Sequence, residues 1–382
     1  MLRWWWWAWA IEGAHLAHAD LDPVARATAV HRWANFEGDV PPWWPVTAAD
    51  DLEKHPTLLF EGTAKVVRRG KINECGEKCA ALVDERSATM DVVVKTARFV
   101  NTSAIEKHAS ELVSELVWLE YLRGRPGIPV LWGAWATRGR RGLTYVVEDA
   151  GEPMKFFIPS EHFRPERYAD ERYKAFVRSK PLATAKAFVE CFHSFSQVGG
   201  FFLDDFVPHQ FVYADGSQLG RRGVRRIALV DGPKLLGRSG ELAPLYQNSS
   251  HVIETAPRAC VGDAACPHTK KSHCCCGSSS PNGRPDGSRG APESKGRCAD
   301  RACVPLSSAT HVFDVAAHKW ALPFIEQLAR EDGHLVVADG LRALIANMTR
   351  RDAGARPSFS EVLDALHALR TLELRATGKN KE

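Results

Sequence analysis

The chain has 382 residues, of which 45% are hydrophobic and 25% charged, and its formal net charge is +4. This composition belongs to a folded soluble protein and excludes a disordered or fibrous chain. So small a charge over this length argues for neither a nucleic-acid partner nor an anionic membrane surface, and no apolar run approaches the roughly 20 residues that span a bilayer.

At the N-terminus, Met1-Leu2-Arg3 leads into Trp4-Trp5-Trp6-Trp7-Ala8-Trp9-Ala10-Ile11. One arginine ahead of a short apolar run resembles a minimal signal peptide, with Ala17-His18-Ala19 as a cleavage site. A tryptophan-rich run suits an interfacial anchor, or a wrongly started reading frame, equally well. The first two readings associate the N-terminus with a membrane. Residues 1–56 are read as an extension, with Pro41-Pro42-Trp43-Trp44-Pro45 as an extended link.

Strand-like runs follow at 57–60, 65–68 and 92–96. Ser103-Ala104-Ile105-Glu106 has the form of a capping box that opens a helix. Ile105, Ala109, Leu112, Leu116 and Leu119 recur at helical spacing, and Gly124 ends the helix. Strands at 130–135 and 143–147 complete residues 57–149 as a β-rich lobe with one main helix. Residues 150–375 read as mainly helical. One helix runs from Pro181 through Phe188, Phe192 and Phe195 to Gly199-Gly200, and others cover 311–330, 340–348 and 358–372. A Cys-rich insertion occupies 258–305, its 267–297 stretch too rich in Ser, Gly, Pro and Lys to bury a core, and 376–382 form a polar tail. The fold class is therefore α+β.

The ten cysteines bear on compartment. Cys75 and Cys79 form a close pair, Cys191 stands alone, and Cys260, Cys266, Cys274, Cys275, Cys276, Cys298 and Cys303 crowd into the insertion. Such clusters mean disulfides or metal; disulfides are favoured, and zinc, with His268 and His273 nearby, is the alternative. Disulfides imply an oxidising compartment, in agreement with a signal-like N-terminus.

Two acidic stretches carry the chemistry. Leu203-Asp204-Asp205-Phe206-Val207-Pro208-His209-Gln210-Phe211-Val212 and Ile227-Ala228-Leu229-Val230-Asp231-Gly232 read as a β-hairpin that brings Asp205 and Asp231 to one end of a small sheet. Upstream, Lys95 ends a β-branched run, where a lysine reaches nucleotide phosphates if an acid holds it. Glu111 and Glu115 on the following helix are candidates, and Glu115 is the better placed, beside the buried row of Trp118, Leu119 and Leu122. Gly62, in Phe60-Glu61-Gly62-Thr63-Ala64-Lys65-Val66-Val67, marks a turn that covers phosphates or a plain hairpin turn, and Lys65 adds a charge there. Asp205 suits a general base, while Asp231 and Gln210 suit Mg2+.

The order of these parts, with Leu341 to Met348, Arg356-Pro357-Ser358 and Asp314-Val315…Trp320 near the end, resembles a protein kinase from about 57 to 372. The paired cysteines before the Lys95 strand and the Cys-rich insertion are similar to the secretory-pathway divergent protein kinase domain family. The resemblance implies a bilobal kinase-like fold, a β-rich N-lobe (57–149) and a mainly helical C-lobe (150–375). It also implies ATP and Mg2+ as cofactors, with Lys95 held by Glu115, Asp231 and Gln210 on the metal and Asp205 as base. A protein or glycan acceptor and an endoplasmic-reticulum location, lumenal or membrane-associated, follow from the same likeness. The chain departs from the kinase pattern where Leu203-Asp204-Asp205 replaces His-Arg-Asp and Asp231-Gly232-Pro233 replaces Asp-Phe-Gly. Thr255-Ala256-Pro257-Arg258 lacks the glutamate that pairs with the arginine at Arg356. A catalytically inactive scaffold, a pseudokinase, is the alternative that these losses keep open.

Overall fold

The computed structural model describes residues 22–52, 56–61, 65–72, 90–97, 105–137, 142–154, 169–196, 201–203, 206–215, 225–232, 234–236, 241–246, 252–253, 298–299, 302–303, 308–350 and 353–376. It is an α+β structure whose chain divides into two units, one holding most residues up to 149 together with 239–251, the other holding most of the rest.

The first unit is built on a five-stranded antiparallel sheet in the order β1-β2-β3-β5-β4. The strands are β1 (Thr57–Glu61), β2 (Lys65–Ile72), β3 (Met90–Ala97), β4 (Leu131–Thr137) and β5 (Gly142–Glu148). Alternation on β3 sends Val92 and Val94 to one face, where they are buried with Ile72, Trp132 and Val146. That face is closed by the chain ahead of the sheet: Val46 and Leu52 lie in the same cluster. Val46 bridges Gly133 in parallel, and Leu52 bridges Ile72 in antiparallel fashion. A Cβ on Gly133 would sit 1.8 Å from the Val46 carbonyl oxygen, so only glycine admits this close approach.

Helix α1 (Pro23–Ala34) begins with the Asp22 side chain accepting the Ala25 N–H, and it packs on helix α2 (Ile105–Tyr121). Past α2, Gly124 takes a positive φ of 81°, the conformation that favours glycine after a helix. Residues 22–52, read from sequence as part of a separate Trp/Pro-rich extension, are integral to this unit. The Trp44 indole donates to Glu120 Oε1 at 3.0 Å, and Glu120 is fully buried with the Arg26 and Arg123 guanidinium groups at 3.8 and 3.6 Å.

The second unit is mostly helical: α3 (Glu171–Ser179), α4 (Pro181–Ser196), α5 (Ser308–Ala317), α6 (Leu322–Glu331), α7 (Leu335–Met348) and α8 (Phe359–Ala376). Its core is aromatic. Phe188 and Phe192 of α4 stack on one another at 5.6 Å and meet Phe206, Phe211 and Trp320. The predicted helix over 311–330 is two helices, because the backbone breaks at Ala321 (φ −96°, ψ −128°) and Pro323 then starts α6. Helix α3, absent from the sequence reading, is capped by Asp170, whose carboxylate accepts the Arg172 N–H at 2.7 Å. Two small sheets complete the unit: β6 (Glu152–Pro153) with β8 (Phe211–Ala214) and β9 (Arg226–Leu229), and β7 (Phe201–Phe202) with β10 (Lys234–Leu236) and β11 (Val252–Ile253). A two-stranded ribbon, β12 (Cys298–Ala299) and β13 (Ala302–Cys303), lies at the end of the insertion.

Candidate functional site

Strand register decides what surrounds Lys95. It lies opposite Val67 on β2 and opposite Tyr145 on β5, and directly opposed residues share a face of the sheet. Lys65 lies opposite Ala97, two residues beyond Lys95, and so belongs to that face too. The face is the reverse of the one closed by Val46 and Leu52, and α2 supplies its acid. Lys95 Nζ donates to Glu115 Oε1 at 2.5 Å, and Lys65 Nζ donates to Glu115 Oε2 at 3.0 Å. Lys95 and Glu115 are each only 5% exposed. The ammonium of Lys95 also lies 5.6 Å from the centre of the Tyr145 ring.

Burial by itself would raise the Glu115 pKa, since it disfavours a charge. The charges of Lys65 and Lys95, with hydrogen bonds from Lys95 and Tyr145, outweigh burial and hold it down at about 2. Of the two candidates Glu111 and Glu115, it is Glu115 that reaches Lys95. One residue earlier, the Ser114 carbonyl accepts the Tyr246 hydroxyl at 3.2 Å, which ties the turn Ala243–Tyr246 to α2. Helical spacing singled out Glu115, but Tyr246 and the shared hold of Lys65 on Glu115 carried no local signal. Tyr145 had one, the parity of its strand.

In the second unit, the hairpin forms: Phe211 lies opposite Leu229 and Ala214 opposite Arg226. The turn Pro208–Gln210 leads into it, and the Val230 N–H donates to the Gln210 carbonyl at 2.8 Å. Gln210 and Asp231 therefore stand at the same end of the hairpin, Gln210 buried and Asp231 half-buried. Both offer hard oxygen donors of the kind that Mg2+ takes. The segment that leads to Asp205 is anchored by a residue the sequence reading passed over. The Leu203 N–H donates to Nε2 of buried His311 on α5 at 3.0 Å. A ring nitrogen that accepts an N–H carries no proton, so His311 is neutral, and burial pushes its pKa down to about 4 against the pull of Asp314.

Asp205 and Gly62 lie outside the described residues, as do the Cys75 and Cys79 pair and the Thr255 to Arg258 stretch. Arg356 takes other partners: it donates to the carbonyls of Arg350 and Ala309 at 2.7 and 3.2 Å and lies 4.7 Å from the Phe313 ring centre. No model of a known protein family matches the chain, and no curated protein matches it either. Among the described residues no helix is long and apolar enough to cross a membrane, and no group of three or more His, Cys, Asp or Glu is placed to hold a metal.

Proposed function

We propose that the chain is a phosphotransferase with a bilobal protein-kinase-like fold, moving the γ-phosphate of ATP to a hydroxyl of a protein or glycan in the secretory pathway. The observation that carries this reading is the buried ion pair of Lys95 with Glu115. A lysine near the end of a central strand, fixed by a glutamate from a helix on that face, is the device that orients nucleotide phosphates in kinases. Glu115 holds the Lys95 ammonium in an ion pair, and Lys65 brings a second ammonium to the same carboxylate, where the residues around Gly62 offer few glycine N–H groups. Asp231 and Gln210 fit Mg2+ by their oxygen donors, and the ion supplies charge neutralisation for the phosphates when bound. Asp205 takes the proton of the acceptor hydroxyl, and His311 acts through Leu203 by fixing the strand end that precedes it.

Thermal unfolding with and without ATP and Mg2+ tests the reading on wild type, Lys95→Met and Asp231→Asn. A rise of a few degrees in wild type that both variants lose supports it. No rise in any of the three sinks the enzyme reading and leaves the scaffold, a protein that uses this fold for interaction alone.

A further inference from the structure

At the end of the Cys-rich insertion, β12 and β13 pair antiparallel with Ala299 opposite Ala302 and Cys298 opposite Cys303. Only Asp300 and Arg301 separate the two strands in sequence. Directly opposed residues of an antiparallel ladder have Cα atoms about 4.5 to 5.5 Å apart, whichever kind of pair they form. A disulfide joins residues whose Cα atoms are about 4.4 to 6.8 Å apart. The register alone thus brings these two cysteines within bridging range with no movement of the backbone. From this juxtaposition we propose that Cys298 and Cys303 are joined by a disulfide across the β12–β13 ribbon.

The bond forms by exchange with a low-molecular-weight disulfide such as oxidised glutathione. One cysteine thiolate displaces a first glutathione and forms a mixed disulfide. The second thiolate attacks that bond and expels a second glutathione. Two protein thiols are oxidised, their two protons pass to the two glutathione thiolates released, and one glutathione disulfide is thereby reduced to two thiols. Residues 304–307 alone separate β13 from α5, so the bond closes the insertion just ahead of the helix that carries His311. Cys191 is of another kind: it is buried, its Sγ lies 3.7 Å from the Gly127 carbonyl, and it remains a thiol. The proposal stands apart from the phosphotransfer reading, since it rests on the ribbon and not on Lys95 or Asp231.

Trypsin cuts after Arg297 and Arg301, and so severs the backbone between the two cysteines. The full-length chain, equilibrated in glutathione redox buffer, is alkylated without reduction, digested and read by mass spectrometry. Peptides 298–301 and 302–319 are expected as one joined species, two hydrogens lighter than the two thiol peptides together and split by reductant. In Cys303→Ser, peptide 298–301 is expected to appear free and alkylated. Alkylation of both cysteines in the wild type overturns the proposal, as does a link from either to Cys260, Cys266 or another cysteine. The four-residue gap also suits a zinc knuckle, so the same digest is run after chelation. Thiols that become alkylated only then, with zinc released, likewise overturn it.

Discussion

Glu115 shows how a buried charge is kept. Removing one member of a buried ion pair strands the others, and the cost is about 3–5 kcal/mol. Glu115→Ala, which leaves both Lys65 and Lys95 without that carboxylate, is therefore expected to lower stability in chemical denaturation far more than Lys65→Ala. The pH dependence has a definite sign. The folded pKa of Glu115 lies below its unfolded value, so its stabilisation is complete above about 4.3. It is lost as the pH falls towards about 2. His311 acts at higher pH. Its folded pKa of about 4 is below the unfolded value of about 6.5, so the folded state is penalised as the pH drops between those two values. A shift of that size corresponds to something on the order of 3 kcal/mol. Urea unfolding of wild type at pH 7 and pH 5 is expected to show a loss of stability, and His311→Gln a smaller one. An equal loss in both proteins removes His311 from the account.

At the scale of elements, Lys95 and Glu115 were legible because each depends on a local rule. Lys95 closes a β-branched run, and helical spacing put Glu115 beside Trp118, Leu119 and Leu122. The hairpin of Phe211 to Leu229 was legible as two apolar, strand-like runs joined by a turn-rich connector. The segment from Pro23 to Leu52 was not, because its partners are remote. Trp44 is defined by Glu120, 76 positions later, and Val46 by the bare backbone of Gly133. A run of Pro and Trp reads as a link until the acid that receives the indole N–H is known. Helix α6 did announce itself through Pro323, but the apolar period on either side of the break masked it. Two substitutions test these long-range contacts. Trp44→Phe leaves buried Glu120 without its indole donor and is expected to cost about 1–3 kcal/mol in thermal or chemical unfolding. Gly133→Ala places a methyl carbon 1.8 Å from the Val46 oxygen and is expected to destabilise at least as much. Wild-type stability in either variant contradicts the close contact.

At the scale of the whole molecule, two units each gather some of the candidate residues, and each was visible in sequence to a different degree. The sheet unit gathers Lys65, Lys95 and Glu115 at one place, whereas the helical unit sets Gln210 and Asp231 at one end of its hairpin. The N-terminal arm serves the first unit as a structural part. A chain that starts at residue 53 exposes Ile72, Val92, Val94 and Trp132 and strips Glu120 of Trp44 and Arg26. It is expected to aggregate or lose its cooperative transition, as circular dichroism on heating would report. A cooperative transition matching that of the full chain would detach the arm from the fold. On the proposed function, the lysine held by Glu115 binds nucleotide phosphates. The most direct test of this is calorimetric titration of ATP with saturating Mg2+ into wild type and Lys95→Met, each first shown to be folded. Binding is expected in wild type, and binding at least about tenfold weaker in the variant, a loss of about 1.4 kcal/mol. Equal affinity in the two proteins, or no binding to wild type, would contradict it.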